Sequence, residues 1–455
     1  MNTEEEFNIA IIGGGILGTS IAYFLASSSN PQHPNNLLLI EQEQNVSFHA
    51  SARNTGKVHA PFLYDPMKKK LFAKAAFLGF NMLKDYCSLK SLPFKQDGVL
   101  EVATYDKAIE RLHKYLEWGY SNGLQENEIQ FLEQDEIKNL EPNVRCLAGI
   151  YCLKDGSIDY GVVTKELMED AKRFGCNIVT GSKVIKIVRR DDKGGKGGIV
   201  LYTSNGKNYV TNYLINAAGG NAVDIAHNMG VAGEYTDLHF RGEYWHAPPE
   251  YRTLTKLSIY TVPKYPEYPF LDPHWIVRVD GKREVGPNAV PVFSPYAYSL
   301  GTNIRYLIPK LFETSRTGAR RILFNRQFLL LASSELKSSI SKTAMINRAR
   351  EFLPQLRPSA FTQRGTAGIR SALIDRNGKF VEDTQIVKND YSLHLLNYNS
   401  PGATGALPIA AMVVYGLFDD GILTRSNSGI SRMIQNQKPR WDIAEISENI
   451  LASAL

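Results

Sequence analysis

The chain begins with an apolar stretch, Phe7 to Ile12, that breaks into Gly13-Gly14-Gly15-Ile16-Leu17-Gly18. Beyond the glycines, Ile16, Ile21, Phe24 and Leu25 recur at helical spacing until about Ser28, and Pro31 prevents the helix from continuing. Leu37 to Ile40 is then a short, unbroken apolar run, as expected for a strand buried on both faces of a parallel sheet. A polar loop, 42–54, leads to Thr55-Gly56-Lys57-Val58-His59-Ala60. The spacing of Leu71, Ala75, Leu78 and Met82 predicts a long amphipathic helix over 66–89.

Alternation predicts a strand over 98–104, and 108–119 reads as a surface helix. Helix 162–174 and strands 177–179 and 183–188 follow. Leu214-Ile215 is a buried strand that breaks at Asn216-Ala217-Ala218-Gly219-Gly220, and a helix follows over 224–229. From Tyr235 to Pro295 the pattern is strand-like and rich in aromatics and proline. The chain then returns through Gly365 to Leu373, a turn at Asn377-Gly378, a strand at 393–396 and a helix over 407–417. The predicted class is α/β with an α+β second domain. A Rossmann-like domain (1–90, 150–232 and 350–455) is interleaved with a mixed-sheet domain (91–149 and 233–349).

The opening strand, glycine turn, helix and strand make a dinucleotide-binding βαβ unit. Gly13 permits the tight turn, Gly15 lets backbone approach a pyrophosphate, and Gly18 allows close helix–strand packing, with the helix N-terminus aimed at the phosphates. Glu41 stands at the distance expected of a carboxylate that accepts ribose hydroxyls. An ordinary glycine-rich turn would not need the matching acid.

Composition narrows the function classes. With 455 residues, 43% of them hydrophobic, the chain can fill more than one core. A net charge of +6 from 52 basic and 46 acidic residues, without a long basic run interleaved with aromatics, gives a nucleic-acid role little support. Cys87, Cys146, Cys152 and Cys176 form no CxxC pair, so neither a structural metal nor a disulfide framework is expected. Residues 1–6 are acidic and lead directly into a strand, unlike a secretory or transit peptide, and the longest apolar run, 406–418, is too short to span a bilayer. The expected location is cytoplasmic. Arg305, Lys310, Arg316, Arg320, Arg321 and Arg326 stand against one acid, Glu313. That stretch reads either as a solvated helix face or as a basic amphipathic element peripheral to the inner face of a membrane.

Several separated motifs agree with one family. Besides Gly13 to Gly18 they are Asn54 to Ala60; Phe240-Arg241-Gly242-Glu243-Tyr244; Pro269-Phe270-Leu271 with His274; Gly286-Pro287-Asn288-Ala289-Val290; and Arg364-Gly365 through Gly368-Ile369-Arg370 to Asn377-Gly378. In these the chain resembles the FAD-dependent oxidoreductases of the D-amino-acid-oxidase superfamily, and within it is most similar to the L-2-hydroxyglutarate dehydrogenase/oxidase group. It departs from the family pattern at Pro61, Trp245, Asp272-Pro273 and residues 401–405.

The resemblance implies FAD held by Gly13, Gly15, Ile16, Leu17, Gly18, Glu41, Gln42, Ser51, Asn54, Thr55, Val184, Ala217, Ala218, Gly219, Gly402, Ala403 and Thr404. It also implies a small 2-hydroxy acid as substrate, with oxygen, a quinone or another flavoprotein as electron acceptor. The oxidation needs a hydride acceptor, a base and cations for carboxylates. His59 and His274 are the candidate bases, because imidazole accepts a proton near neutrality, or else they orient a loop or the flavin. His59 could also be the site of a covalent flavin link. Arg370 is the first candidate for a bidentate carboxylate clamp, and Arg241 the second, unless it is taken up by Glu243. The helix after Thr404 would favour the electron-rich edge of reduced flavin, or is simply capped by Thr404. Competing readings are an amine oxidase acting on glycine or sarcosine, a flavoprotein retained as an assembly factor, and, least favoured, an NAD-linked dehydrogenase.

Overall fold

The structure is a computed structural model that describes residues 4–28, 36–190, 198–265, 268, 272–299, 303, 305–307, 317–399, 402–423 and 441–451. Strand β1 (Glu5–Ile12) runs parallel to both neighbours. It pairs Ile12 with Ile40 of β2 (Leu37–Ile40) and with Asn216 of the strand Asn208–Asn216. Its odd residues Ile9 and Ile11 enter one core and Ala10 and Ile12 the other, which explains why the strand is apolar without a break from Ile9 to Ile12. Asn177–Val179 extends the sheet in parallel beyond β2, and Gly198–Thr203 and Val184–Arg190 extend it antiparallel on the far side. Strand Asn208–Asn216 serves two partners on one edge. Its first half pairs with Gly198–Thr203, and its second half runs parallel to Ser392–Leu396.

Helix α1 (Ile16–Ser28) follows the glycine turn and is buried from Ile16 to Ala26, between the sheet and the helices Tyr160–Arg173 and Ala406–Asp419. The second of those helices is the apolar run noted above, and it occupies the core, ten of its residues being buried. Among the described residues no helix is long and apolar enough to cross a membrane. Helix α2 (Lys70–Leu89) starts later than the hydrophobic spacing predicts. Its free first-turn amides at Leu71 and Phe72 are taken by the Asp383 carboxylate, at 2.8 and 3.2 Å, a partner 312 residues away from Leu71 and invisible to local pattern.

A second mixed sheet contains Val99–Ala103, Ile129–Glu133 and Ala148–Cys152 together with Trp245–His246, Ser258–Thr261, His274–Val277 and Arg283–Gly286. Strand Gln363–Arg364 joins its edge beside Trp245–His246. The adjoining strand Gly368–Ile374 pairs with Thr236–Gly242 in a separate three-stranded ladder. The last third of the chain therefore enters the second unit before Gln385–Asn389 and Ser392–Leu396 return to the first sheet. Helix Lys342–Ala349 with Phe352 and Phe361 fills the core of that second unit, so its packing extends past residue 350. A small ladder, Lys57–Val58 with Gly156–Ile158 and Phe94–Lys95, places the His59 loop beside Asp155. Pro269, Phe270, Leu271, Ser400, Pro401 and, from the basic stretch, Lys310 and Arg316 lie outside the described residues. Arg320 and Arg321 ride on helix Thr317–Leu323.

Candidate active site

At the carboxyl end of β1, Gly13 adopts φ +113° and presses on Ala217, where an added Cβ would lie 2.5 Å from the Ala217 carbonyl oxygen. At Gly18 a Cβ would meet the Gly13 carbonyl oxygen at 1.9 Å, so α1 can sit this close to the turn only with glycine there. The position of a Cβ on Gly15, in contrast, meets only the Ser51 hydroxyl. That hydroxyl accepts the Ile16 amide at 2.9 Å and so caps the helix N-terminus, and Ile16 and Leu17 are buried beneath the turn. Ala217 donates its amide to Ile12, and Ala218 and Gly219 continue the same rim. A crevice walled by glycine backbone at the end of two parallel strands fits a dinucleotide's pyrophosphate.

Glu41 is buried at the end of β2. One carboxylate oxygen accepts the Gly14 amide at 2.6 Å and the other the Glu43 amide at 2.8 Å. Burial pushes its pKa up while those two amides and His49 pull it down. Each oxygen keeps a further lone pair, so ribose hydroxyls can still be accepted. Gln42 points sideways, with its side-chain oxygen 2.7 Å from the Tyr296 hydroxyl. Tyr298 lies next to it, hydrogen-bonded to His49 at 3.0 Å and stacked under Arg53. Pattern alone singled out none of Tyr296, Tyr298 and His49. Val184 is half-buried at the start of its strand, and Thr55 is half-buried in the loop. Asn54 ties that loop into shape, donating to the Ala50 and Ser51 carbonyls and accepting from the Gly56 amide.

The C-terminal turn meets the His59 loop directly. The Thr404 hydroxyl accepts the His59 amide at 3.0 Å and lies 3.0 Å from the Tyr160 hydroxyl, which donates to the Lys57 carbonyl. Gly402 and Ala403 precede it, with the Gly402 carbonyl accepting from Tyr398 at 2.6 Å. This turn opens the buried helix Ala406–Asp419, so its free amides and positive dipole end face the same space as His59.

His59 and His274 come together around Tyr260. The Tyr260 ring stacks on His274 with centroids 4.2 Å apart and sits 6.0 Å from His59. The Nδ1 atoms of both histidines are buried without a hydrogen-bond partner. Burial pulls His59 down to about 3, with Lys57 and His274 adding to it. Burial likewise pulls His274 to about 4, Asp272 opposing and Arg348 adding. Both imidazoles are therefore neutral at physiological pH. The Tyr244 and Tyr64 hydroxyls, raised by burial, close the same space, each within electrostatic reach of Tyr260.

Arg370 stands on strand Gly368–Ile374 directly across from Phe240. Burial lowers its guanidinium to about 10, the Tyr244 hydroxyl opposing, so it stays charged. Lys69 is close enough for Arg370 to depress it, burial being the larger cause. Arg241 pairs across from Ile369, and alternation sends the two arginines to opposite faces of the ladder. Arg241 is bound to Glu243 at 3.3 Å and donates to the Ala297 carbonyl at 3.1 Å, the internal salt bridge that its sequence neighbourhood left open.

Beneath His59 lies a group that sequence reasoning did not single out. Lys57, fully buried, places its ammonium 3.0 Å from Asp97 and 3.0 Å from Asp155, and donates to Ser157 at 3.1 Å. Lys57 sits in the quoted loop motif two residues before His59, and a lysine on a short strand inside a glycine-bounded loop was the available signal.

The sequence pattern of the family described as FAD dependent oxidoreductase matches residues 8–415. The L-2-hydroxyglutarate dehydrogenase of Indibacter alkaliphilus is 31% identical over 411 residues, covering 90% of this chain and 98% of that protein. Among solved structures, dithionite-reduced L-alpha-glycerophosphate oxidase from Mycoplasma pneumoniae with FAD bound matches with a TM-score of 0.69 at 21% identity, over 89% of this chain and 93% of that one. Glycine oxidase from Geobacillus kaustophilus matches with a TM-score of 0.65 at 14% identity, over 97% and 98%.

Proposed function

The chain belongs to the FAD-dependent oxidoreductases of the D-amino-acid-oxidase family, and from that premise we propose that it oxidises a small 2-hydroxy acid, L-2-hydroxyglutarate, to the 2-oxo acid. FAD is its cofactor. The turn Gly13 to Gly18 with Ile16, Leu17 and Ser51 would hold the pyrophosphate, and Glu41 the ribose. Ala217 to Gly219, Gln42, Asn54, Thr55 and Val184 would line the crevice, and Gly402 to Thr404 would face the ring. Bound FAD supplies the hydride acceptor at N5.

The protein's own groups do the rest. Arg370 binds the carboxylate next to the reacting carbon through two parallel hydrogen bonds, which a planar guanidinium makes and an ammonium cannot. Lys69, the neighbouring cation, takes the distal carboxylate of a dicarboxylic substrate. His59, neutral and fastened by its amide to Thr404, removes the hydroxyl proton as the carbon gives up its hydride. His274, stacked on Tyr260, orients that hydroxyl. Arg241 braces the pocket wall through Glu243.

The observation that carries this reading is the gathering of two neutral imidazoles around Tyr260, with the Arg370 guanidinium within electrostatic reach of the same cluster through Tyr244, in a chain related over 90% of its length to L-2-hydroxyglutarate dehydrogenases. The test is anaerobic reduction of the enzyme-bound flavin, screened over 2-hydroxy acids and amino acids. L-2-hydroxyglutarate is expected to bleach the flavin. Bleaching by glycine or sarcosine and not by any 2-hydroxy acid would overturn the assignment.

A further inference from the structure

His59 presents a chemical problem that the fold itself resolves. A base must hold the proton it takes, yet burial disfavours an imidazolium at this position. The Asp155 carboxylate lies 3.9 Å from the unpartnered Nδ1 of His59 and accepts the Ala60 amide at 3.3 Å, so it is fixed to the residue following the histidine. Its other oxygen is 3.0 Å from the Lys57 ammonium, which Asp97 shares. Asp155 shares that ammonium with the half-buried Asp97, so the buried carboxylate on the Nδ1 side of the ring is only partly neutralised, and Nε2 remains for the substrate.

We propose that Asp155 is a positioning residue for the reaction, closing onto the Nδ1 proton of His59 and balancing the charge that His59 gains when it deprotonates the substrate. The inference rests on the function proposed above. In the step, the substrate O–H bond breaks and its proton goes to His59 Nε2. The oxygen's electron pair forms the carbonyl, and the C–H pair leaves as hydride to the flavin. The Nδ1 proton stays on His59, hydrogen-bonded to Asp155. Closing the 3.9 Å gap by about 1 Å is the kind of tightening that catalytic hydrogen bonds show on substrate binding.

The surroundings make the charge on Asp155 adjustable. Burial raises its pKa to about 6, Lys57 opposing and Asp97 adding. The other titratable groups facing it are Tyr64, Tyr160, Tyr260 and Cys152, all raised and neutral, and Glu101, which burial raises to about 8. Lys57 and Asp97 act on it in opposite directions, the ammonium lowering and the second carboxylate raising it.

The experiment has two arms, both on the holoenzyme. In the first, without substrate, 15N-histidine spectra follow the His59 ring, assigned by its loss in His59→Gln. The His59 signals are expected to shift with a titration near pH 6 that vanishes in Asp155→Asn. That titration should move to lower pH in Asp97→Asn and to higher pH in Lys57→Gln; should Lys57→Gln not fold, the Asp97→Asn shift decides the sign. His59 signals indifferent to Asp155→Asn, or an Asp97→Asn shift to higher pH, would overturn the proposal. In the second arm, Asp155→Asn should lower the limiting rate of flavin reduction by L-2-hydroxyglutarate about 10²-fold or more. Substrate affinity should stay within about 3-fold, and the rate should lose its rise with pH through 6. A parent-like rate or a retained limb refutes the role. If L-2-hydroxyglutarate does not reduce the parent enzyme, the substrate assignment fails while the first arm still decides for or against Asp155.

Discussion

Replacing Gly79 of α2 by alanine sets two known effects against each other. Alanine in a helix interior is worth about 1 kcal/mol over glycine, so helix propensity alone makes Gly79→Ala stabilising. The structure says otherwise. A Cβ at residue 79 would lie 2.0 Å from the Thr404 carbonyl oxygen and 2.8 Å from its carbon, where ordinary contact begins at 3.4 Å. Relief demands a shift of more than about 1 Å between two backbones. The Thr404 side is pinned by the His59 amide, and Gly405 already rests on Ala75 one helical turn away. With no side chain free to yield, the upper end of the usual overpacking cost applies, about 3 kcal/mol, which leaves a net loss of about 2 kcal/mol. The same substitution at Gly416, in helix Ala406–Asp419, meets only the Lys388 ammonium at 3.7 Å. There the helix gain of up to about 1 kcal/mol should survive. Urea unfolding with unchanged slope measures both differences. Flavin fluorescence titration measures the second consequence, because displacing the Gly402-to-Thr404 turn should weaken FAD binding in the Gly79 variant and leave it intact in the Gly416 variant. A Gly79→Ala protein as stable as its parent and equally tight for FAD would refute the argument that this turn is held against α2.

Three further outcomes follow from the site. Arg370→Met should weaken substrate binding by about 2–5 kcal/mol, the usual loss when one partner of a buried charge pair is truncated, and Arg370→Lys should recover only part of it; dissociation constants from anaerobic flavin titrations check both. Glu41→Ala removes the acceptor of two buried amides, Gly14 and Glu43, and should cost about 1–3 kcal/mol in stability together with FAD affinity, read by unfolding with and without added FAD. Glu101 is buried in strand Val99–Ala103 with its pKa raised to about 8, so its contribution is present below the unfolded value near 4.5 and is lost as pH climbs through 8. Glu101→Gln should therefore gain on the parent between pH 5 and pH 8, on the order of a few kcal/mol, and equal differences at the two pH values in urea unfolding would contradict this.

The parts of the fold that could be read from sequence are those whose reasons are local. β1, α1 and β2 each carry their cause within a few residues: apolar runs for the strands, and for the helix a glycine turn that only a close helix–strand contact requires. Helix α2 shows where locality fails. Its hydrophobic spacing extends back to residue 66, but Asp383 decides where its first amides are satisfied, and that choice belongs to the tertiary structure. The path of residues 363–374 was hidden for a related reason. A short polar strand such as Gln363–Arg364 has no periodicity to read, and its partner, Trp245–His246, is equally short.

The same division runs through the site. His59, His274 and Arg370 stood in motifs and Thr404 in a turn that departs from the family pattern, and the structure brings His59 to Thr404 and, across Tyr260, to His274. The facing of Arg241 could not be read, because motif membership does not say on which side of a ladder a residue emerges; that follows from the Phe240 to Arg370 register. Asp155 and Lys57 are a stronger case. Each reads as a surface residue by type, and each is buried only because the other, with Asp97, makes burial tolerable. Replacing such an ion group by apolar residues of similar volume is often neutral or favourable for stability, so its presence is weak evidence of a stabilising role. A buried carboxylate placed 3.9 Å from a neutral imidazole is better accounted for by what it does to that imidazole than by any contribution to the strength of the fold.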